Sequence, residues 1–376
     1  MIWKFPLYEI KESIDWSQIE AEYDWFADMK NVPQHHIWHA EGDVFIHTKM
    51  VINSLINMPE YQDLSEQEQH ILFTSALLHD VEKRSTTVKE SIAGVETYIS
   101  PKHAKKGEFT ARKILYKDIQ TPFAIREQIC KLVRHHGLPL WAWEKPNPQK
   151  EVIKASLILD TKLLAILAKA DVLGRICKDQ EELLTRIDLF QELCQENNCW
   201  GKPKEFASDY ARYVYLSKKD SFPEYIPYDD REFEVVMMSG VAGSGKDTYI
   251  ANHYDLPIVS LDNIRREHNF DPADKKKTPM TIEIAKQKVK QYLRTKQSFV
   301  FNATNITRSL RNKWLSLFHD YGAKVNIIYL EVPFARLLLQ NKNRRHIVPE
   351  NIIHKMINNL EIPNYDEAQE VKFITY

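Results

Sequence analysis

Residues 235–250, VVMMSGVAGSGKDTYI, restrict the possible folds of this 376-residue chain more than any other stretch. The apolar run FEVVMMSG is typical of a buried β-strand, and it leads directly into a segment with glycines at 240, 243 and 245. Glycine allows the backbone to turn sharply where a side chain would interfere. The residues from Lys246 onward are compatible with a helix, so the stretch predicts a strand, a tight turn and a helix.

Such a turn binds phosphate, because its backbone N–H groups and the positive end of the following helix face the anion. Lys246 is placed to reach the β- and γ-phosphates of a nucleoside triphosphate bound with Mg²⁺. We therefore predict a nucleotide-binding loop. Its residues are Gly240, Gly243, Ser244, Gly245, Lys246, Asp247 and Thr248.

Asp247 stands where the usual pattern G-x-x-x-x-G-K-[ST] has a hydroxyl that binds Mg²⁺. A carboxylate is also a hard oxygen ligand, and a metal ion and a helix N-terminus both offset its repulsion of phosphate. The alternative is that Asp247 only caps the helix and faces away from the nucleotide. In either case the loop tolerates the change.

Three more β-rich runs, PIVSLD, SFVFNATN and KVNIIYLEV, alternate with helical segments, which predicts a parallel sheet with crossover helices. Asp262 follows the second strand at the carboxyl edge of the sheet, where it can take a proton from an attacking hydroxyl. Arg265 shares a helical face with Asp262 and can hold a substrate phosphate. A capping aspartate beside a solvated arginine is the alternative.

More polar and basic groups follow the third and fourth strands. After the third strand come Asn302, Thr304, Asn305, Arg308, Arg311 and Lys313. Arg344 and Arg345 precede a Val-Pro pair, a pattern that favours a mobile basic lid over the phosphates and adds both residues to the predicted nucleotide-binding set. A solvated helix end is the alternative.

Together these motifs resemble the 5′-hydroxyl polynucleotide kinase family over residues 233–363. The resemblance implies phosphate binding by Lys246, general-base catalysis by Asp262, contact of Arg265 with the acceptor's 3′-phosphate, and action of Arg344 from the lid. It implies acceptor binding by Arg265, Asn302, Thr304, Asn305 and Arg308. Gln340 stands where a second lid arginine is expected, so Arg345 would share that role.

The first part of the chain is different. From about residue 16 to 216 apolar residues recur at spacings of three and four, which predicts helices, with one weak strand candidate at residues 93–100. Residues 217–232, SKKDSFPEYIPYDDRE, are polar with two prolines and predict a linker. We therefore predict two domains, an all-α bundle at 1–216 and an α/β domain with a parallel sheet at 233–376.

Histidine and aspartate recur along these predicted helices. The candidate metal ligands are His39, His47, His79, Asp80, His103, His135, His136 and Asp171. A single histidine on a helix is more often structural than a ligand, but an aspartate inside an Ala/Leu-rich helix needs a partner. So many groups on successive helices favour a metal site. Whether His39 or Asp43 joins it is open.

The order H…HD…H…HH…D over residues 32–175 resembles the HD phosphohydrolase superfamily, whose fold is an all-α bundle. The resemblance implies one metal on His47, His79, Asp80 and Asp171, and a second on His103, His135 and His136, with Asp80 as the bridge. Lys83 would contact the substrate phosphate. One or two divalent transition metals (Mn, Fe, Co, Ni, Cu or Zn) suit these ligands and would activate a water molecule.

An HD domain followed by such a kinase resembles a bacterial family of bifunctional end-healing enzymes usually called HD-Pnk. The resemblance implies removal of 2′,3′-cyclic, 2′- or 3′-phosphates and phosphorylation of 5′-hydroxyl ends by ATP or another NTP, with single-stranded RNA or DNA ends as partners. A nucleotidase fused to a nucleoside kinase is the main alternative. A nucleotide sensor without turnover and a kinase with a purely structural helical half are two others.

Bulk properties limit the class further. The net charge of −1 excludes a global basic field, so nucleic acid would rely on local groups such as the lysines at 275–277 or Trp38, Trp141 and Trp143. Solvated or packing roles are the alternatives for these residues. The cysteines form no C-x-x-C pair, and no run is long enough to cross a bilayer, so we expect a cytoplasmic protein.

Overall fold

The computed structural model describes residues 2–92, 94–271, 274 and 276–376. The chain divides into two compact units, Met1–Glu205 and Phe206–Tyr376, here called the helical unit and the sheet unit. The predicted fold class, a helical region followed by an α/β region with a parallel sheet, is confirmed. The assignment of a hydrolase domain at 1–216, a linker and a kinase domain at 233–376 stays a prediction.

The helical unit consists mainly of helices, numbered here in chain order. They are α1 (Trp16–Glu22), α2 (Asp24–Ala27), α3 (Val44–Asn57), α4 (Pro59–Gln62), α5 (Glu66–Leu78), α6 (Lys83–Thr86), α7 (His103–Lys113), α8 (Phe123–His135), α9 (Leu138–Trp141), α10 (Pro148–Ser156), α11 (Thr161–Leu173) and α12 (Gln180–Glu196). A π-helical turn, Ile114–Asp118, continues α7, and a 3₁₀ turn, Ala142–Glu144, follows α9.

The weak strand candidate at residues 93–100 corresponds to β2 (Val95–Ile99), which pairs antiparallel with β1 (Val88–Ile92). Ala93 lies outside the described residues. The partner strand β1 was not predicted. The hydroxyls of Thr87 and Ser100 lie 2.8 Å apart and join the two ends of this hairpin.

Close contacts between helices set the positions of the candidate metal ligands. A capping box of Ser65 and Glu68 starts α5, which is buried from Gln69 to its end and delivers His79 and Asp80 at its C-terminus. At Gly174, just after α11, an added Cβ would lie 2.6 Å from the backbone nitrogen of Val51 on α3. The C-terminal end of α11 thus approaches the middle of α3 more closely than any side chain at position 174 would permit.

The sheet unit contains helices on both sides of one parallel sheet. Its helices are α13 (Asp209–Ser217), α14 (Lys246–His253), α15 (Leu261–Glu267), α16 (Lys277–Arg294), α17 (Arg308–Asp320), α18 (Phe334–Lys342) and α19 (Glu350–Asn358). Its strands are β3 (Glu234–Ser239), β4 (Ile258–Ser260), β5 (Phe299–Asn302), β6 (Lys324–Glu331) and β7 (Glu370–Thr375).

The strand order is β4-β5-β3-β6-β7, and all neighbours pair in parallel. The four predicted strands are confirmed, whereas β7 was missed. Ser260 is level with Asn302, and Ser239 at the end of β3 is level with Tyr329 on β6. The loop after β3 and the residues after β4 and β5 therefore lie at one carboxyl edge of the sheet.

Candidate functional sites

Asp80 lies at the centre of the histidine cluster in the helical unit. The Nε2 atoms of His79 and His47 lie 3.3 and 3.7 Å from its Oδ2, and Nε2 of His103 lies 3.4 Å from its Oδ1. Nε2 of His136 lies 3.4 Å from Nε2 of His103. Four of the predicted ligands thus direct the same ring nitrogen toward one buried carboxylate.

The other ring nitrogen of each histidine is already engaged. Nδ1 of His79, His103 and His136 lies 2.7, 2.8 and 2.9 Å from the carbonyl oxygen three residues earlier. Nδ1 of His47 lies 2.8 Å from Glu41 Oε1, a charge contact that is not aligned as a hydrogen bond. A proton held on Nδ1 leaves the Nε2 lone pair free, which is the form in which imidazole binds a metal.

Two of the three metal-sized groups among the described residues share Asp80, and the third is His39, Glu41 and His47. Of the two that share Asp80, one is His47, His79 and Asp80, the other is Asp80, His103 and His136, and the ligand atoms of each lie within 4.8 Å of one another. Nε2 of His47, Nε2 of His79 and Oδ1 of Asp80 are buried without a hydrogen bond. Buried polar atoms without partners are costly, so this donor set fits divalent cations bridged by Asp80.

Burial and neighbouring charges set the protonation states. Burial opposes protonation of His79, but the Asp80 charge outweighs it and raises the pKa of this histidine. Burial lowers the pKa of His136 to about 3, aided by the charges of His103 and His79. Burial opposes ionisation of Asp80, but Lys83 and His79 outweigh it and hold the pKa of this carboxyl well below its usual range. A neutral imidazole and an ionised carboxylate are what a divalent cation requires.

Asp171 and Lys83 complete the centre. Asp171 Oδ1 lies 3.1 Å from His47 Nε2, and Asp171 also pairs with Arg175 through Nε at 3.0 Å and a second, shorter contact. Lys83 Nζ lies 2.7 Å from Asp80 Oδ2 and donates to Gln34 Oε1 at 2.8 Å. The structure therefore brings both residues into the cluster predicted for them.

The two neighbouring histidines of the HH pair lie in different surroundings. His136 contacts the cluster, whereas the main charged neighbours of His135 are Lys131, Glu108 and Arg134. Consecutive helical residues point about 100° apart, so only one ring can face Asp80. Among the described residues, the groups around Asp80 include His136 and not His135, whose role as a ligand stays a prediction without geometric support.

His39 and Asp43, the two open candidates for the metal site, have different contacts in the segment before α3. Both carboxylate oxygens of Asp43 accept backbone N–H groups, from Ile46 at 2.8 Å and Asn31 at 2.7 Å, so this residue caps α3. His39 instead donates toward Glu41 Oε1 at 2.9 Å, and its ring centroid lies 4.8 Å from that of His47. Sequence reasoning missed Glu41, because nothing in its irregular loop marks it.

In the sheet unit the predicted phosphate loop has the expected strand, turn and helix. Gly240, Gly243 and Gly245 all have positive φ, at 147°, 91° and 96°. Lys246 Nζ donates to the carbonyls of Gly240 at 2.9 Å and Val241 at 3.0 Å, so the lysine lies across the loop. This is the arrangement of a loop whose N–H groups surround an anion.

Charged groups of different elements meet at this loop. Burial lowers the pKa of Lys246 to about 8; the Asp247 and Asp262 charges raise it, and the Arg344 charge lowers it. Asp262 and Arg344, predicted as base and lid residue, thus lie within electrostatic reach of the predicted phosphate site. Arg345 is exposed on the same segment.

Two neighbouring carboxylates are held by different partners. Asp247 Oδ1 accepts from Asn302 Nδ2 at 2.7 Å, which links the helix after the loop to the end of β5. Asp262 pairs with Arg265 at 2.8 Å. Thr248, beside Asp247, is exposed.

Asn341 binds the backbone of the Val-Pro pair, Gln340 contacts the phosphate loop, and the sequence predicted neither contact. Asn341 donates to Val348 O at 2.8 Å and accepts from Val348 N at 3.1 Å. The Gln340 amide, with its nitrogen toward the loop, donates to Gly243 O at 2.7 Å. The base of the predicted lid is therefore fixed to α18, and α18 to the phosphate loop.

Other predicted acceptor residues have structural partners. Asn305 Nδ2 donates to Met238 O at 2.8 Å, and Thr304 O accepts from Gly240 N at 2.8 Å, so the segment after β5 is joined to β3 and to the start of the phosphate loop. Arg308 forms a bidentate pair with Asp366 at 3.0 and 2.9 Å and lines an open cavity of about 530 Å³. Their contact with substrate stays a prediction.

Arg311 and Lys313 both lie on α17 but have different surroundings. Arg311 is fully buried and pairs with Glu367 at 2.7 and 2.9 Å, so it supports the fold. Lys313 lines the same cavity as Arg308.

Some of the tryptophans and lysines that could bind nucleic acid are exposed, and others contact neighbouring side chains. Trp38 and Trp143 are 46% and 51% exposed, and Arg186 lies over the Trp141 ring at 4.8 Å. Of the lysine run, Lys275 lies outside the described residues, and Lys277 lies over the Phe270 ring at 5.0 Å.

Comparisons with known proteins cover the sheet unit. Residues 235–363, less than half of the chain, match the family model described as an AAA domain, and no curated protein matches the sequence. A sugar kinase from Janibacter sp. aligns at 18% identity and a TM-score of 0.30, over 38% of this chain and 86% of that one. A gluconokinase from Sinorhizobium meliloti aligns at 19% identity and a TM-score of 0.26, over 38% of this chain and 81% of that one.

Residues 235–363 thus match an AAA domain, and their glycine-rich loop and parallel strand order are consistent with a P-loop fold. Within the described parts of the chain, no helix is both long and apolar enough to span a bilayer.

Proposed function

We propose that the protein heals broken nucleic-acid ends with two separate phosphoryl-transfer centres. The helical unit would remove 2′,3′-cyclic, 2′- or 3′-phosphates, and the sheet unit would phosphorylate 5′-hydroxyl ends with an NTP. The observation that carries this proposal is the convergence of His47, His79, His103 and His136 on Asp80, in a chain that also contains a phosphate loop.

For the hydrolase, the residues present supply two adjacent cation positions. His47 and His79 would hold one divalent metal and His103 and His136 the other, with Asp80 between them. Bound metals supply an activated water and neutralise phosphoryl oxygens. Lys83, beside Asp80, adds a positive charge at the point where a phosphate would bind.

For the kinase, the loop amides and Lys246 would hold the β- and γ-phosphates while Mg²⁺ binds near Asp247. Asp262 would accept the proton of the attacking 5′-hydroxyl while the hydroxyl oxygen bonds to the γ-phosphorus. The nucleoside diphosphate would leave. Arg265 would bind the acceptor's phosphate, and Arg344 would stabilise charge on the transferred group.

The exposure of Asp262 favours a large acceptor. Its side chain is 67% exposed, so an attacking hydroxyl reaches it from an open surface. A polynucleotide end fits such a surface, whereas pockets for small molecules bury most of their ligand. Removal of a 3′-terminal phosphate and addition of a 5′-phosphate also produce the two ends that a ligase requires, which links the two activities in one chain.

The test is to incubate the full chain with ATP, Mg²⁺ and Mn²⁺ and an oligonucleotide that carries a 5′-hydroxyl and a 2′,3′-cyclic phosphate, and to follow both ends. We expect the 5′ end to gain a phosphate and the 3′ end to lose one. Activity on mononucleosides and mononucleotides with none on the oligonucleotide would support the nucleotidase and nucleoside kinase alternative and contradict end healing.

Two matched variants separate the centres. Asp80→Asn should lower the rate of removal of the 3′-terminal phosphate by a factor of at least about 10² and leave 5′ phosphorylation intact. Asp262→Asn should do the converse, by about 10²–10⁴ for a lost general base. Loss of both activities in either variant would argue against two independent centres.

A further inference from the structure

We propose that Glu41 is a positioning residue for the metal centre of the helical unit, and that it controls one of the two metal positions. This inference rests on the proposed hydrolase function. The Glu41 side chain has no exposed surface, and one of its oxygens, Oε1, contacts Nδ1 of His39 at 2.9 Å and Nδ1 of His47 at 2.8 Å.

The second oxygen of Glu41 ties this loop to the turn after α11. Oε2 accepts the backbone N–H of Ile176 at 2.9 Å, and Ala40 N donates to Ile176 O at 3.0 Å. The residue before Ile176 is Arg175, which pairs with Asp171. Glu41 therefore connects the loop that carries His39 to the turn that carries the partner of Asp171.

A buried carboxylate needs partners that compensate for its lost hydration, and these contacts supply them. In return, the carboxylate favours the proton on Nδ1 of His47 and leaves Nε2 as the free nitrogen. That Nε2 lies 3.7 Å from Asp80 Oδ2 and 3.1 Å from Asp171 Oδ1, in the first of the two metal-sized groups that share Asp80.

The other histidines of the cluster are fixed in a different way. Nδ1 of His79, His103 and His136 contacts a backbone carbonyl of its own helix or turn, which no side-chain substitution removes. A carboxylate partner also makes the imidazole a stronger ligand than a carbonyl does. Loss of Glu41 should thus affect the position at His47, and spare the one at His103 and His136.

The experiment is a titration of the metal-free full chain with MnCl₂, followed calorimetrically. For Glu41→Gln we expect one of two Mn²⁺ sites to weaken by about 10–100-fold and the other to keep its affinity. Glu41→Ala should weaken the same site further, because the amide of glutamine still accepts an N–H and the methyl group of alanine does not.

Asp43→Asn is the matched control for an effect on folding alone. Asp43 lies on the same loop and caps α3 through Ile46 N, so its substitution should lower thermal stability and leave both Mn²⁺ affinities unchanged. If Asp43→Asn weakened both Mn²⁺ sites as much as Glu41→Gln does, the positioning role would be overturned. Wild-type affinity at both sites in Glu41→Gln would overturn it as well.

A second comparison keeps this inference separate from the proposed function. If wild-type protein and Asp80→Asn bind Mn²⁺ equally, the metal centre itself is contradicted. If the wild type binds two Mn²⁺ ions, Asp80→Asn does not, and Glu41→Gln behaves as the wild type, then the metal centre stands and only the role of Glu41 is refuted.

Discussion

Gly240 occupies a position in the phosphate loop where no side chain fits. A Cβ added there would lie 2.5 Å from the carbonyl oxygen of Leu330 and 2.8 Å from Ser244 Oγ, and the residue has a φ of +147°. The sheet backbone supplies the nearer atom, so it cannot give way as the end of a side chain would. The glycine is thus required both by conformation and by space.

We therefore expect Gly240→Ala to destabilise the sheet unit by at least about 1–3 kcal/mol and to weaken ATP binding, because the loop must shift to admit the methyl group. Denaturant unfolding and ATP titration would measure the two effects. Gly322→Ala is the control: φ there is +73° and nothing lies within 4 Å, so we expect a cost of about 1–2 kcal/mol and normal ATP affinity. Wild-type ATP affinity in Gly240→Ala would contradict this account of the loop.

At the residue scale, the sequence identified groups that stand in motifs and missed groups that depend on tertiary contacts. The His79–Asp80 pair and Lys246 could be found because their neighbours along the chain mark them. Arg175 follows Asp171 by one helical turn, so its pairing could have been predicted. Glu41 could not, because its contact with Ile176 joins residues 135 positions apart.

At the element scale, α7 and α8 are joined by buried charges. Arg112 forms a bidentate pair with Glu127 at distances of 2.8 to 3.1 Å, and Arg126 Nε contacts the same carboxylate at 2.9 Å. Lys131 on α8 contacts Glu108 on α7 at 2.7 Å. Since α7 begins at His103 and α8 ends beside His136, this network fixes the distance between two predicted ligands.

The network predicts a specific response to acid. Although burial opposes it, the charges of Arg112 and Arg126 lower the pKa of Glu127 to about 2 from the ordinary value of 4.5. A depressed carboxyl pKa contributes stability that is complete above pH 4.5 and is lost as the pH falls toward about 2. The helical unit should therefore lose stability across this window.

Glu127→Gln should remove that contribution. We expect it to lower the unfolding free energy at neutral pH by about 3–5 kcal/mol, because it removes the buried carboxylate that Arg112 and Arg126 share. The difference from the wild type should shrink as the pH falls below 4.5, as followed by helical circular dichroism. Glu60→Gln, in an exposed pair with Lys169, is the control and should cost about 0–1 kcal/mol. A difference that stays constant with pH would contradict the depressed pKa.

Elements with a clear periodic pattern could be predicted, and short elements with weak patterns could not. The buried runs that form β3 to β6 and the helices α5, α8 and α11 follow directly from their apolar spacing. Residues 88–91 of the hairpin strand β1 are exposed, and β7 at the sheet edge alternates only briefly, so neither has the apolar run that marks a buried strand.

At the scale of the whole molecule, the chain contains two units with different chemistry. The helical unit concentrates imidazoles around one buried carboxylate, and the sheet unit directs glycine-rich backbone and a lysine toward an anion site. Neither site requires a residue of the other unit among the contacts described above. This separation is why a substitution at Asp80 or at Asp262 is expected to abolish one activity only.

The most direct test is crystallography of the full chain grown with MnCl₂, with anomalous scattering used to locate the metal. We predict two Mn²⁺ peaks about 3.5–4 Å apart, with Asp80 bridging them, His47 and His79 on one and His103 and His136 on the other. An absence of anomalous density at Asp80, or histidine rings that turn away from it in the presence of Mn²⁺, would contradict the account.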